Sequence, residues 1–151
     1  MAPDDSEEAL IDGLVRSAFQ VMSVLTRIGA EHDLSLTQLR VLGIVRDRRP
    51  RMSDLAAFLG LDKSTLSGLI DRAERRGLLT RHASPEDRRA VVVLITDAGR
   101  DLTQRLYEEA RDALAPATGR LDAQQRQQLA HLLEPVLTPP LPAAPRPATR
   151  R

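Results

Sequence analysis

The chain has 151 residues, the length of one domain or of one domain with extended helical arms. It contains no cysteine, which excludes disulfides, cysteine-ligated zinc, iron–sulfur clusters and thiol chemistry. Its 22 basic and 21 acidic residues nearly balance, so net charge alone indicates no partner. The apolar run at 90–95 is far shorter than the ~20 residues that cross a bilayer, and the N-terminus is acidic. A cytoplasmic protein is therefore expected.

Residues 7–32 have the spacing of a long amphipathic helix. Apolar side chains recur three and four positions apart in one stripe, and a second apolar line runs beside it. Two stripes are more than one packing partner covers, so we expect the helix to pack within its own subunit and against a second chain. The predicted dimerisation residues here are Ile11, Leu14, Ala18, Val21 and Leu25.

Residues 36–77 predict three helices in succession. The first runs over 36–48 and ends before Pro50. Ser53 is a candidate N-cap for a short helix that ends at Gly60, and Asp62 is the candidate N-cap of a longer helix that ends before Gly77. A short helix, a tight turn and a longer helix make a helix-turn-helix, although an ordinary helical hairpin in a bundle has the same outline.

The side chains at the start of the longer helix favour the first alternative. They are short, polar or basic, which lets backbone and hydroxyl groups approach phosphates and base edges closely. A buried hairpin gains nothing from that choice of residues. The candidate DNA-contacting residues are Lys63, Ser64, Thr65, Ser67 and Gly68.

Two short extended runs, 80–82 and 89–95, flank a proline-containing turn and predict a β-hairpin. A hairpin after a helix-turn-helix is a wing. Its tip carries Arg88 and Arg89, and arginine is well suited to a narrow minor groove. Asp87 is expected to hold one of these guanidinium groups in a fixed geometry. Taken alone, such a turn would be read as a solvated loop.

Thr96 is expected to cap a helix over 97–115 that Pro116 interrupts, and Asp122 opens a last helix. These helices carry more apolar surface than the winged unit can cover, which favours a homodimer. From 138 onward the chain holds five of its ten prolines, so 138–151 is expected to be a disordered tail. The predicted dimerisation residues here are Leu129, Leu132, Leu133 and Val136.

Charge is unevenly distributed along the chain. Residues 40–89 carry twelve basic and seven acidic side chains, a net charge of +5, whereas the remaining residues carry ten and fourteen, a net charge of −4. A basic middle between acidic arms is typical of a protein that binds a polyanion. A chance cluster of solvated charges is the alternative.

Three segments together resemble one known family. LGLDKSTLS at 59–67, LIDRAERRGLL at 69–79 and PEDRRAVVVLITDAG at 85–99 resemble the helix-turn-helix and wing of the multiple-antibiotic-resistance regulator (MarR) family. The resemblance covers about residues 8–137. It implies a mainly α fold with a small β-wing, in which a winged helix-turn-helix lobe over 34–96 adjoins a helical dimerisation domain built from 7–33 and 97–137.

The resemblance also implies roles for individual residues. The helix at 63–77 would enter the major groove of double-stranded DNA and the wing the adjacent minor groove. Besides Ser64, Thr65, Ser67 and Gly68, Arg72 would face bases or phosphates. Ser53 and Arg76 would face the DNA backbone. Arg88 and Arg89 would lie at the wing tip steadied by Asp87, with Arg89 favoured as the arginine that enters the groove.

Most members of this family are repressors released by a small, often phenolic or otherwise aromatic, effector, and in this chain Arg40 could pair an anionic one. The effector binds between the dimerisation domain and the winged lobe. Here Phe19, Met22, Arg40 and Tyr107 would line that crevice, with core packing or a surface salt bridge as the alternative for each of them. His32, in the apolar stripe, is more readily explained as a packed residue than as a metal ligand, and no cofactor or metal is expected.

The sequence lacks the motifs of an enzyme. It has no phosphate-cradling glycine loop, no Gly-x-Ser-x-Gly and no metal-spaced set of ligands. The alternative from another class is a winged-helix module that binds a protein partner without sequence-specific DNA binding. Such modules usually carry apolar or acidic residues on the exposed helix, which the residues at 63–72 do not match. The sequence therefore predicts a homodimeric, sequence-specific DNA-binding regulator.

Overall fold

The computed structural model of the chain describes residues 5–137, 139 and 141. Over these residues the backbone forms six helices and one two-stranded antiparallel sheet, which confirms the predicted mainly α fold with a small β-hairpin. The elements are α1 Asp5–Glu31, α2 Leu36–Asp47, α3 Met52–Leu59, α4 Lys63–Arg75, β1 Leu79–Ala83, β2 Val91–Ile95, α5 Asp97–Thr118 and α6 Ala123–Leu133.

One apolar core joins helices α1 to α5 and the two strands, and α6 contributes no buried residue to it. Helix α1 packs on α2 and α5, α2 packs on α5 and β2, α3 packs on α4 and β2, and α4 packs on β1. Burying each large apolar side chain contributes roughly 1.5–3 kcal/mol to folding. The largest fully buried side chains are Ile28, Leu42, Val45, Leu55, Leu66, Ile70, Leu79 and Val93.

The helix-turn-helix forms where the sequence predicts it, with one correction. Asp62 caps α4, and Gly60 ends α3 in the left-handed region at φ 66°. Ser53 is not the N-cap of α3, because the helix already begins at Met52 and Arg51 is the N-cap. Arg51 is extended because it bridges to Val92 of β2. Pairing with the sheet thus sets the start of α3.

The hairpin is slightly displaced from its predicted limits. Strand β1 pairs with β2 in the register Leu79↔Ile95 to Ala83↔Val91. Residue Arg89 lies in the turn and not in β2, because the backbone N–H of Ser84 donates to the carbonyl of Ala90 and closes the turn there. We call β1, β2 and the turn at 84–90 the wing.

Helix α5 does not end where its proline stands. It begins at the Thr96 cap as predicted but continues through Pro116 to Thr118. A proline removes one backbone hydrogen bond, and in the last turn few further bonds depend on it. Helix α6 then begins at Ala123, after the N-cap Asp122, which forms a capping box with Gln125.

Most of the predicted tail at 138–151 lies outside the described residues. Leu141 is described, and its side chain is 9% exposed and belongs to the core. The composition of 138–151 predicts a disordered tail, whereas the described residue Leu141 belongs to the core. The overall composition of the tail does not indicate that a single leucine within it is buried.

Helix α1 is both long and apolar. One 18-residue stretch has a mean hydropathy of 1.3, so by length and composition alone the helix could cross a membrane. The sequence expectation had considered only uninterrupted apolar runs. This is weak evidence for a membrane, because an apolar helix packed inside a protein assembly has the same composition.

Candidate nucleic-acid interface

The first turn of α4 carries Lys63, Ser64 and Thr65, all exposed. The carboxylate of Asp62 accepts hydrogen bonds from the Thr65 backbone N–H at 2.7 Å, the Ser64 hydroxyl at 2.7 Å and the Thr65 hydroxyl at 3.0 Å. These bonds, the Thr65 N–H first, lower the pKa of Asp62 to about 2. While both hydroxyls donate to Asp62, only their lone pairs remain, so they can accept from a base amino group but not donate to a phosphate.

The next turn of α4 brings Ser67, Gly68 and Arg72 along the helix. Arg72 is exposed, whereas Ser67 and Gly68 are half-buried. A Cβ at Gly68 would meet only Nη1 of Arg72, at 4.0 Å, so the surface here is open. The Arg72 guanidinium is therefore accessible to a binding partner.

Arg81 of β1 joins the wing to α4, and the sequence analysis did not single it out. Its Nη1 donates to Asp71 at 2.6 Å and to Glu74 at 2.8 Å, and its Nη2 donates to the carbonyl of Ser67 at 3.0 Å. Glu74 also accepts the backbone N–H of Arg81 at 2.8 Å. Asp71 and Glu74 lie three residues apart on one face of a helix in an otherwise basic segment. That spacing was the feature of the sequence that could have indicated a shared basic partner.

The tip of the wing is exposed at Asp87, Arg88 and Arg89. Asp87 accepts the backbone N–H of Arg89 at 3.0 Å. The expectation that Asp87 holds a wing guanidinium is therefore not what the structure shows, because the short side chain bonds the turn's own backbone. Among the described residues, neither wing guanidinium has a bonded partner.

Two residues expected to face the DNA backbone lie in different settings. Ser53 is exposed in the first turn of α3. Arg76, the C-cap residue of α4, donates from Nη1 to the carbonyl of Asp33 and from Nη2 to the carbonyl of His32, both at 2.9 Å. The Arg76 guanidinium is thus committed to the end of α1.

None of the four residues expected to line an effector pocket lines the apolar crevice that the described residues form. Phe19 and Met22 are exposed on α1, and Arg40 lies 5.5 Å from the ring centre of Phe58. Tyr107 lies under the guanidinium of a different arginine, at 5.9 Å. An apolar crevice between α2, α4 and β1 has about 10 Å³ of free space, room for a single water. It is lined by Leu34, Gln38, Val41, Leu42, Leu69, Ala73, Arg76 and Leu79.

His32 is held by an acidic residue of α5. Its Nε2 lies 3.0 Å from Oε1 of Glu109, in a half-buried position. Among the described residues no group of three or more His, Asp or Glu side chains is arranged to hold a metal ion.

The predicted dimerisation residues lie at or near the surface of the single chain. Leu132 is 58% exposed, the neighbouring Phe19 is 67% exposed, and no residue of α6 is buried. Of the predicted set, Leu14, Leu25 and Leu133 are half-buried, and the exposed members are Ile11, Ala18, Val21, Leu129, Leu132 and Val136.

Comparison with known proteins agrees with this geometry. The MarR family model matches residues 32–90, which contain α2, α3, α4 and β1. The homoprotocatechuate degradative operon repressor of Escherichia coli is 30% identical over 129 residues, covering 84% of this chain and 86% of that protein. The chain belongs to the MarR family. It is a transcriptional regulator and not an enzyme.

Solved MarR-family structures share the fold. The structure of a MarR mutant from E. coli complexed with operator DNA matches with a TM-score of 0.64 at 25% identity, over 90% of this chain and 100% of that one. CouR from Rhodococcus jostii RHA1, bound to p-coumaroyl-CoA, matches with a TM-score of 0.67 at 24% identity, over 88% of this chain and 92% of that one.

Proposed function

We propose that this MarR-family protein is a homodimeric repressor that binds a specific DNA sequence. The observation that carries the proposal is the joint exposure of the first turn of α4 and of the two arginines at the wing tip. A helix of this kind fits the major groove, and a wing arginine fits the minor groove beside it. The E. coli structure that matches along 90% of this chain was solved with operator DNA.

The proposed DNA-contacting residues belong to the winged lobe, 34–96. They are Ser53, Lys63, Ser64, Thr65, Ser67, Gly68, Arg72, Arg88 and Arg89, with Asp87 shaping the turn. Arg76, also expected to face the DNA backbone, is not among them, because its guanidinium donates to the carbonyls of His32 and Asp33. The dimerisation domain is formed by 7–33 and 97–137.

Exposed apolar side chains support the homodimer. Large apolar side chains on α1 and after α5 would otherwise face water, and exposed apolar surface of this kind typically marks an interaction site. Two copies of one chain bury the same patch on each other about a two-fold axis. A two-fold dimer fits a pseudo-palindrome whose half-sites lie about one helical turn apart.

Release by a small aromatic, phenolic or anionic effector in the cytoplasm completes the proposal. CouR was solved with p-coumaroyl-CoA, and the E. coli relative is named for the homoprotocatechuate operon. Since the crevice of the single chain holds about 10 Å³, an effector must widen it or use space that the second chain completes. Phe19, Met22, Arg40 and Tyr107 remain candidates for that wider space.

The salt dependence of DNA binding tests the proposal. Affinity for genomic DNA fragments carrying an enriched palindrome is measured from 50 to 200 mM salt, with and without a panel of phenolic and aromatic acids. A dimer with several phosphate contacts loses on the order of 10³-fold or more in affinity over this range. Specific binding that one acid weakens is expected. Binding that is absent or indifferent to sequence would favour a winged-helix module for a protein partner.

A further inference from the structure

The guanidinium of Arg76 reaches from the end of α4 to the end of α1. Its two terminal nitrogens donate to two successive backbone carbonyls, those of His32 and Asp33, each at 2.9 Å. A planar fork that satisfies two acceptors is a geometry that arginine provides and lysine does not. The contact joins residues 43 and 44 positions apart in the chain.

The two acceptor carbonyls lie just after the end of α1 at Glu31. The last carbonyls of the helix, next to them, carry a partial negative charge that attracts a cation. Helix α1 has no basic residue in its last turn, so Arg76 supplies the charge from another element. The chain turns sharply here, with Asp33 at φ 55° and the carbonyl of Leu34 2.6 Å from where a Cβ of Gly29 would stand.

The same turn is anchored from the other side by α5. The ring of His32, whose carbonyl accepts from Arg76, bonds to Glu109 at 3.0 Å. A chain of contacts therefore runs from Glu109 through His32 to Arg76. It connects α5 and α1, which lie in the proposed dimerisation domain, to the C-terminus of α4.

The orientation of α4 depends on few elements. Helix α4 packs on α3 and β1, whereas α1 packs on α2 and α5. We infer that Arg76 is a positioning residue that sets the angle of α4 against the dimerisation helices, and thereby the half-site spacing that the dimer accepts, and that it is not a phosphate-binding residue. The inference rests on the proposed dimeric DNA-binding function.

The two roles of Arg76 predict different behaviour for two variants. Arg76→Lys keeps the charge, so a phosphate contact would survive, but it loses the two-carbonyl fork. Arg76→Gln removes the charge. Each is compared with Arg72→Ala, a variant of the exposed arginine one turn earlier on α4. All are first shown to fold and to keep the wild-type mass in solution.

DNA binding is measured on the palindrome enriched from genomic fragments and on duplexes with one base pair added or removed between half-sites. For both Arg76 variants we expect the salt slope, the change of log affinity with log salt concentration, to equal that of wild type. The spacing penalty, the fold loss of affinity when one base pair is added or removed, should be smaller than in wild type by roughly fivefold or more, the scale of losing two hydrogen bonds. Arg72→Ala should reduce the slope and keep the penalty. The proposed dimer has two copies of Arg76, and each phosphate contact contributes about 0.9 to the salt slope. A slope lower by about 1.8 in Arg76→Gln, together with an unchanged spacing penalty, would overturn the inference.

Hydrogen exchange on the free protein separates this inference from the proposed function. Both Arg76 variants should exchange the amides of 32–34 faster than wild type, since the turn loses its clamp. Unchanged exchange would contradict the clamp whether or not the protein binds DNA. If wild type shows no sequence-specific binding while exchange responds as expected, the proposed function fails and the clamp stands without its effect on spacing.

Discussion

The carboxylate of Asp62 organises the first turn of α4 through three hydrogen bonds, and two of these engage hydroxyls proposed to face DNA. An N-cap aspartate both satisfies a free backbone N–H and holds a negative charge at the positive end of the helix. Here it also fixes which way the hydroxyls donate. Stability and specificity therefore depend on the same side chain.

We predict that Asp62→Ala lowers the melting temperature at neutral pH. It should also decrease the ratio of specific to nonspecific DNA affinity. The released Ser64 and Thr65 hydroxyls can then donate to any phosphate. Asp122→Ala is the matched control, because Asp122 caps α6 with the same kind of bond. It should lower the melting temperature without changing the affinity ratio. Equal ratios in wild type and Asp62→Ala would contradict the prediction.

The cap also has a pH signature. The pKa of Asp62 is lowered to about 2 in the folded protein from an ordinary 3.8, so its stabilisation is present above pH ~4 and is lost as the pH falls towards 2. The difference in melting temperature between wild type and Asp62→Ala should therefore shrink over that window. A constant difference from pH 6 to pH 2 would be inconsistent with the lowered pKa.

A further prediction about a single residue concerns Arg89. Its backbone is fixed by Asp87, and its guanidinium is exposed at the wing tip. Arg89→Ala should cost about 1–3 kcal/mol of operator binding and leave the mass in solution unchanged. Arg111→Ala removes an exposed charge, one that pairs with Asp112 on α5, and serves as the control in the same titration. Undiminished operator affinity in Arg89→Ala would remove the wing from the mechanism.

At the scale of elements, the wing and α4 act as one unit because Arg81 of β1 bonds Asp71 and Glu74 of α4. Arg81 is only a quarter exposed, so its partners would be left partly desolvated without it. The turn before β1 is tied to α5 as well, since the hydroxyl of Thr96 donates to the carbonyls of Gly77 and Leu78. A Cβ at Gly99 would collide with that Leu78 carbonyl oxygen, so the close approach of α5 to this turn needs a glycine.

Arg81→Ala should destabilise the fold by roughly 1–3 kcal/mol and weaken operator binding more than the charge loss alone predicts. Two acidic side chains would then stand unpaired near the DNA. Adding Asp71→Asn and Glu74→Gln should recover part of the affinity, which a titration of the single and triple variants measures. Arg120→Ala, in the exposed turn before α6, controls for loss of one positive charge. No recovery in the triple variant would argue against the link.

Helices and caps could be predicted from the sequence wherever local chemistry decides them. Asp62, Thr96 and Asp122 cap the helices that they were expected to cap. The exceptions arise from partners distant in sequence. Arg51 is extended because it bridges to Val92, and Leu141 is buried in a core that composition does not reveal.

The candidate site was predicted as a set of exposed residues, and its internal bonds were not. Arg76 and Arg72 lie one turn apart on α4 and look alike in sequence, yet only Arg76 meets the carbonyls at the end of α1. The role of Arg81 likewise depends on the register of β1 against α4. Neither orientation follows from spacing along one element, because each requires two elements to be placed against each other.

At the scale of the whole molecule, the unburied apolar surface of α1 and α6 is the feature that a single chain does not explain. Leu132 is 58% exposed, and α6 has no buried residue. A helix with that surface is stable when a second copy covers it. In the proposed function, this surface would form the dimer and so set the spacing of the two DNA half-sites.

Leu132→Glu should halve the mass in solution, because a charge in an apolar interface cannot be paired. Operator affinity should fall with it, since one winged lobe holds one half-site. Gln127→Glu adds the same charge to α6 on about the opposite side of the helix and should leave the dimer intact. The two variants are compared by light scattering. A dimeric, folded Leu132→Glu protein would place the interface elsewhere.

The most direct test of dimeric, sequence-specific DNA binding is to incubate the purified protein with sheared genomic DNA near physiological salt and sequence what stays bound. The account predicts enrichment of a few sites that share a pseudo-palindrome with half-sites about one helical turn apart. Two chains should bind each such duplex. Recovery of random fragments that are lost as salt rises would contradict it.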